Sequence, residues 1–149
     1  MKLVIQRVIK SSVEIDGKIH GQSNQGFMVL VGFSATDNQH IVDKMVDKMV
    51  HLRIFEDENH KMNLSLLDVN GQILSISQFT LYADCKKGRR PGFTNAAKPD
   101  IAIPLYDYFN QKIKDLNIHI ETGRFGADMK VSLINDGPVT IILDSDEIL

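Results

Sequence analysis

Hydroxyl and main-chain groups are the chemistry this chain offers most plainly. Ser77 and Thr80 lie in Ser77-Gln78-Phe79-Thr80-Leu81, and either becomes a nucleophile only beside an activating base. His20, His40, His51, His60 and His119 are scattered, form no metal-ligand spacing, and read as surface or structural residues. Cys85 is the single cysteine, which excludes an intrachain disulfide and a cysteine zinc site. Lys86 and Lys87 stand beside it, but no Cys–His signature accompanies it, so an incidental cysteine is expected. Asp144, Asp146 and Glu147 read as a solvated acidic terminus. The Walker loop, the glycine-rich dinucleotide fingerprint, the HExxH helix and the GxSxG elbow are all missing. No metal and no cofactor are therefore expected. The remaining option is a set of main-chain N–H groups aimed at a developing oxyanion, each worth about 3–4 kcal/mol without any ionisable side chain. For Ser77–Leu81 that option stands against an ordinary strand end.

A second segment, Asn135-Asp136-Gly137-Pro138-Val139-Thr140, interrupts the apolar runs Val131–Ile134 and Val139–Leu143. Proline cannot donate to a sheet ladder and belongs at an edge, a bulge or a turn. Asn-Asp-Gly-Pro is rich in turn formers, so the local pattern predicts a hairpin turn between two strands. The competing reading is a main-chain site displayed at two strand ends, where the missing Cβ of Gly137 allows close approach. Lys86-Lys87-Gly88-Arg89-Arg90 places four cations in five residues within a Gly/Pro-containing loop. It is either a solvated basic loop or a set of phosphate contacts that position a nucleic acid without reading its bases. The net charge of −2 argues against a general nucleic-acid coat protein.

The elements that would position these groups can be read from periodicity. Leu3–Val8 and Ser12–Ile15 read as strands, with Asp16-Gly17 as a hairpin turn to Lys18-Ile19. Gly26–Phe33 is a continuous apolar run expected to be a central buried strand. Ile41, Val42, Met45, Val46, Met49 and Val50 recur at helical spacing, with Thr36 or Asp37 as the cap. Arg53–Glu56 reads as a short strand and Lys61–Leu67 is ambiguous. Gly71–Leu81 reads as one long strand. Ile101–Leu116 reads as a helix that Pro99 could start, with Pro104 better suited to a first turn than to an interior. Ile118–Thr122 returns to strand before the last two strands. The pattern predicts a mixed α/β fold with two main helices on one side of the sheets. At 149 residues, without a linker, one domain spanning 1–149 is expected. The absence of a signal-type or membrane-spanning apolar stretch leads to the cytoplasm as the expected location.

Ser77-Gln78-Phe79-Thr80-Leu81-Tyr82-Ala83 and Asn135–Thr140 resemble the two signature motifs of the D-aminoacyl-tRNA deacylases. Met1–Val8, Gly123–Met129 and the basic loop followed by Pro91-Gly92-Phe93 are similar to that family as well, in order along nearly the whole chain. The resemblance implies a homodimer of three-layer β/β/α fold that hydrolyses D-aminoacyl-tRNA esters. It implies that Ser77, Gln78, Phe79 and Thr80 line the pocket for the aminoacyl-adenosine end. It also implies a cis peptide bond at Gly137-Pro138, inserted into the partner subunit's site to reject L-amino acids, with Arg7 helping to fix that motif. Lys86, Lys87, Arg89 and Arg90 would meet the tRNA. Glycyl esters, including glycine misattached to tRNA for alanine, would be cleaved too, since glycine has no side chain to exclude. A non-catalytic dimeric module that binds a small molecule or RNA is the alternative.

Overall fold

The computed structural model describes residues 1–149. Its frame is one long strand, β1 (Lys2–Ile15), where the sequence pattern suggests two. Tight alternation at Leu3 and Ile5 gives way to consecutive buried residues at Arg7 and Val8, then two exposed ones at Ile9 and Lys10. This break in period is a register irregularity against β8 (Lys130–Asp144), and it lets β1 serve two layers in turn. The Asp16-Gly17 hairpin leads into β2 (Lys18–Ser23), antiparallel to β1. Next comes β3 (Gly26–Gly32), antiparallel to β1 on one side and parallel to β6 (Gln72–Ser77) on the other. Strand β7 (Ile120–Thr122) adds parallel to β6, giving the order β2-β1-β3-β6-β7 with β8 also on β1. A small separate hairpin pairs β4 (Phe55–Glu56) with β5 (Met62–Leu64), which settles the ambiguous Lys61–Leu67 stretch.

Both faces of β3 are covered, as its unbroken apolar run requires. Phe27, Val29 and Val31 join the main core with the helices, whereas Met28 joins Val8, Val13, Leu74 and Ile76 in a second core under the β1–β8 ribbon. The helices α1 (Gln39–His51) and α2 (Pro99–Asp115) thus cover one side and a strand layer covers the other. Val42, Met45, Val46, Met49 and Val50 form the buried stripe of α1. Each such side chain stabilises the fold by about 1.5–3 kcal/mol relative to exposure.

Several local expectations are corrected. The cap of α1 is Asn38, whose side chain accepts from Ile41 N at 3.1 Å. Asp37 is engaged elsewhere: it accepts from the Met1 ammonium at 2.7 Å and from Ser34 N at 2.7 Å. Pro99 does start α2, but Pro104 lies inside it, where its missing N–H leaves one helical bond unmade. The acidic tail is a short helix, α3 (Ser145–Ile148), capped by Asp144 and anchored by buried Ser145, whose Oγ also accepts from the Met1 ammonium at 2.7 Å. No helix is long and apolar enough to cross a membrane.

The Met1–Asp37 pair is fully enclosed, with side-chain exposures of 0 % and 2 %. Removing one charge of an enclosed pair leaves the other without compensation and typically costs about 3–5 kcal/mol. Asp37→Asn is expected to lower unfolding stability by about that amount in a urea titration; a loss below about 1 kcal/mol would show the pair to be dispensable.

Candidate active site

Strand β6 ends at Ser77, its last residue in register with β3, opposite Val31. Gln78 N still donates to Val31 O at 2.8 Å, but the chain then turns into a 3-10 segment, Phe79–Tyr82, so the expected strand to Leu81 is four residues too long. The reason lies beyond Gly32. There the chain is bonded by Ala97 N to Phe33 O at 2.9 Å and by a Ser34–Ala96 bridge, so β6 has no ladder to continue on. Gly32 allows the departure: a Cβ there would stand 2.9 Å from Gln78 O and 3.1 Å from Leu81 Cβ. The amides of Phe79 and Thr80 open the 3-10 segment, a position where N–H groups lack partners within the turn.

Ser77, Gln78 and Phe79 line a cavity of 260 Å³ together with Ile76, Phe125, Gly126, Ala127, Met129 and Val131. Not one of these side chains is ionisable. Gln78 Nε2 donates to Thr80 Oγ1, so the threonine hydroxyl is engaged by an amide rather than by a base. Behind the strand end, Tyr106 Oη donates to Ser75 O at 2.8 Å and accepts from Ser75 Oγ at 3.1 Å. Burial raises the Tyr106 phenol above its ordinary pKa, which keeps it a neutral donor. This tie between α2 and β6 was not legible in the sequence, because a tyrosine at a helical core position shows only its apolar body.

The second motif is not a hairpin turn. Lys130–Asp144 is a single strand whose two halves both pair with β1. Thr140 lies opposite Gln6 and Asn135 opposite Val8, which leaves Asp136–Val139 facing Arg7 alone as a four-residue bulge. The Gly137–Pro138 peptide bond is cis and both residues are exposed. Gly137 has φ +133°, and a Cβ on it would meet Val139 Cγ2 at 2.8 Å and Arg7 Nη2 at 3.2 Å. Arg7, only 5 % exposed, donates from Nε to Asp136 O at 2.9 Å and from Nη1 to Ile54 O at 2.6 Å. Asn135 spans the bulge: its Oδ1 accepts from Val139 N at 2.7 Å and its Nδ2 donates to Thr140 Oγ1 at 3.1 Å. Val139 is buried in the main core and anchors the far end.

The structure brings Ser77, Gln78, Phe79 and Thr80 together and, separately, Arg7 with the Gly137-Pro138 bulge. It does not bring the two groups into one pocket within a single chain, since neither Gly137 nor Pro138 lines the 260 Å³ cavity. Lys86, Lys87, Arg89 and Arg90 sit on an exposed loop closed at its base by reciprocal Asp84–Gly92 main-chain bonds of 2.7 and 2.9 Å. Cys85 is exposed on the same loop. Another cavity, of 310 Å³, lies between Lys10–Ser12, Gln22–Asn24 and Ser132–Ile134; it includes no residue of either motif and assembles no acid–base pair.

A profile of the D-Tyr-tRNA(Tyr) deacylase family matches residues 4–144. A D-aminoacyl-tRNA deacylase of Bacillus pumilus (strain SAFR-032) is 58% identical over 147 residues, covering 99% of this chain and 100% of the relative. The solved structure of a c-Myc DNA unwinding element binding protein superposes with a TM-score of 0.91 at 39% identity, over 97% of this chain and 98% of that one. A probable eukaryotic D-amino acid tRNA deacylase shares the fold, with a TM-score of 0.83 at 17% identity over 95% and 97% of the two chains. The fold and the match together define a hydrolase of the mixed α/β class. The chain belongs to the D-Tyr-tRNA(Tyr) deacylase family.

Asn135→Ala removes both bonds that span the bulge. The Val139 amide is then expected to exchange its hydrogen about tenfold faster, the equivalent of a typical net hydrogen bond. An unchanged exchange rate would show that Asn135 does not hold the bulge in solution.

Proposed function

We propose that residues 1–149 act as one D-aminoacyl-tRNA deacylase domain that hydrolyses the ester between a D-amino acid and the terminal ribose of tRNA. The observation that carries this reading is the family match over residues 4–144. The cavity beside Phe79 supports it, because its lining offers main-chain donors and no ionisable side chain. An aminoacyl ester is already activated, so the protein need mainly position it and a water molecule. Water attacks the carbonyl carbon while the N–H groups of Phe79 and Thr80 stabilise the oxyanion. The carbonyl then re-forms, the bond to the ribose oxygen breaks, and that oxygen takes a proton. The neighbouring ribose 2′-hydroxyl orients the attacking water. No metal or cofactor is called for.

In this reading the enzyme is a cytoplasmic homodimer whose subunits exchange their Gly137-Pro138 bulges. The exposure of both residues supports it, as does their absence from the cavity of their own chain. Carbonyls of Gly137 and Pro138 hold the substrate ammonium and leave no room for an L side chain. A D side chain points outward, and glycine has none to exclude. Glycyl-tRNA, including glycine on tRNA for alanine, is thus a substrate. Arg7 positions the bulge through Asp136 O and Ile54 O. Lys86, Lys87, Arg89 and Arg90 supply phosphate contacts.

One observation favours a second reading, a nucleic-acid-binding module without catalysis: the 39%-identical solved structure is that of a c-Myc DNA unwinding element binding protein. Ester cleavage separates the two. With a chelator present, the protein is expected to cleave D-tyrosyl-tRNA rapidly and leave L-tyrosyl-tRNA intact; cleavage of neither would leave the binding module. Thr80→Val is expected to retain turnover within about tenfold, since only a covalent route needs the hydroxyl, and a loss beyond about a thousandfold would establish Thr80 as the nucleophile. Glycyl-tRNA hydrolysis should be detectable at high enzyme concentration, and its absence would contradict the steric account of chirality.

A further inference from the structure

Met1 is 0 % exposed, and its side chain lies in the main core with Leu3 and Phe27. The ammonium of the same residue is enclosed with it. It donates to Asp37 Oδ1 and to Ser145 Oγ, both at 2.7 Å. Met1 O in turn accepts from Ser145 N at 2.9 Å, so both polar ends of the residue are held. The acceptors are themselves covered: the Asp37 side chain is 2 % exposed and Ser145 is buried. A first residue is ordinarily poorly ordered at the surface, so this degree of enclosure marks a built site. One oxygen of Asp37 takes the amine and the other takes Ser34 N at 2.7 Å. Ser34 bridges Ala96, on the track that leaves β6 without a ladder beyond Ser77. A single carboxylate therefore ties the amine to the segment that makes the chain turn at Phe79.

We propose that Asp37 and Ser145 form a capture site for the free α-amine of Met1, and that N-acylation of Met1 is the modification this site excludes. A formyl or acetyl group turns the ammonium into a neutral amide with one N–H. One donor cannot serve both Asp37 and Ser145, and the added carbonyl has no open surface to occupy. Asp37 is then a buried carboxylate without its cation, which is the costly state of an enclosed pair. A chain begun with formyl-methionine reaches this fold only after hydrolysis by an external formamide hydrolase. Water adds to the formyl carbon, the C–N bond breaks, formate leaves and the freed amine takes a proton. That step precedes the docking of Ser145, the residue that completes the site from the other end of the sequence.

The test uses the full chain in four forms, wild type and Asp37→Asn, each with a free and with a formylated α-amine, the latter from cells in which deformylation is inhibited. Urea titration reads the ratio of folded to unfolded protein in all four. Formylation of the wild type is expected to lower that ratio by about a hundredfold or more, as for the loss of one member of an enclosed ion pair. The effect of Asp37→Asn should reverse in sign with the cap. It destabilises the free-amine chain, and it stabilises the formylated chain by removing the orphaned carboxylate. That reversal separates lost charge pairing from simple lack of space, and it needs no assay of activity. The N-terminal peptide of the protein purified from its own cells should have the mass of unblocked Met1. A formylated wild type as stable as the free form, the same loss from Asp37→Asn with and without the cap, or an N-terminal peptide carrying an acyl group or residues ahead of Met1 would overturn the proposal.

Discussion

A buried guanidinium facing a bulge is the constraint on which much of the architecture turns. Strand β1 pairs with both halves of β8, and Arg7 stands where the ladder skips four residues of the partner. A buried cation without acceptors would be costly. Arg7 avoids that by taking the Asp136 and Ile54 carbonyls, one from the bulge and one from the segment after α1. Its fork therefore sets the distance between the helical side of the molecule and the bulge. Arginine suits this position because several donors lie in one rigid plane, whereas a lysine would present a single flexible point charge. The same discontinuity sends Leu3 and Ile5 into one core and Val8 and Val13 into the other.

The two motifs are built on a common physical plan. In each, a strand loses its ladder, and the released main chain is fixed by a few named contacts rather than by regular pairing. At Ser77 the neighbouring track is occupied by Ala96 and Ala97; at Asp136 the side chains of Arg7 and Asn135 stand in for strand partners. Main-chain groups held in this way are oriented in advance, which suits them to electrostatic work.

Much of this was legible in the residues. The Asp16-Gly17 hairpin, the buried β3 and the α1 stripe follow from turn chemistry and period, and the structure contains all three. The errors share one cause, since each arose where a distant segment overrides a local preference. Asn-Asp-Gly-Pro reads as a turn until β1 is seen to pair on both sides of it. Phe79-Thr80-Leu81 reads as strand until Ala97 takes the position beside Phe33. Asp37 reads as a cap until Met1 claims its carboxylate. The positions of Ser77–Thr80, Gly137, Pro138 and Arg7 came from motif resemblance. Their contacts, together with those of Asn135 and Tyr106, depend on pairings between residues far apart in the chain, which no local window contains.

The β1–β8 ribbon joins Lys2–Glu14 to Lys130–Asp144, nearly the greatest sequence separation the chain allows. Contacts of such range form late, because the ends must meet before they reward the entropy lost in closing the loop. During synthesis the first strand waits with one edge open until the last one emerges. The Asp136–Val139 bulge has no shape before that moment, since Arg7 has no carbonyl to grip. An incomplete chain therefore carries the turn at the end of β6 without the bulge, and the second motif takes shape only once β8 has paired with β1 on both sides of it.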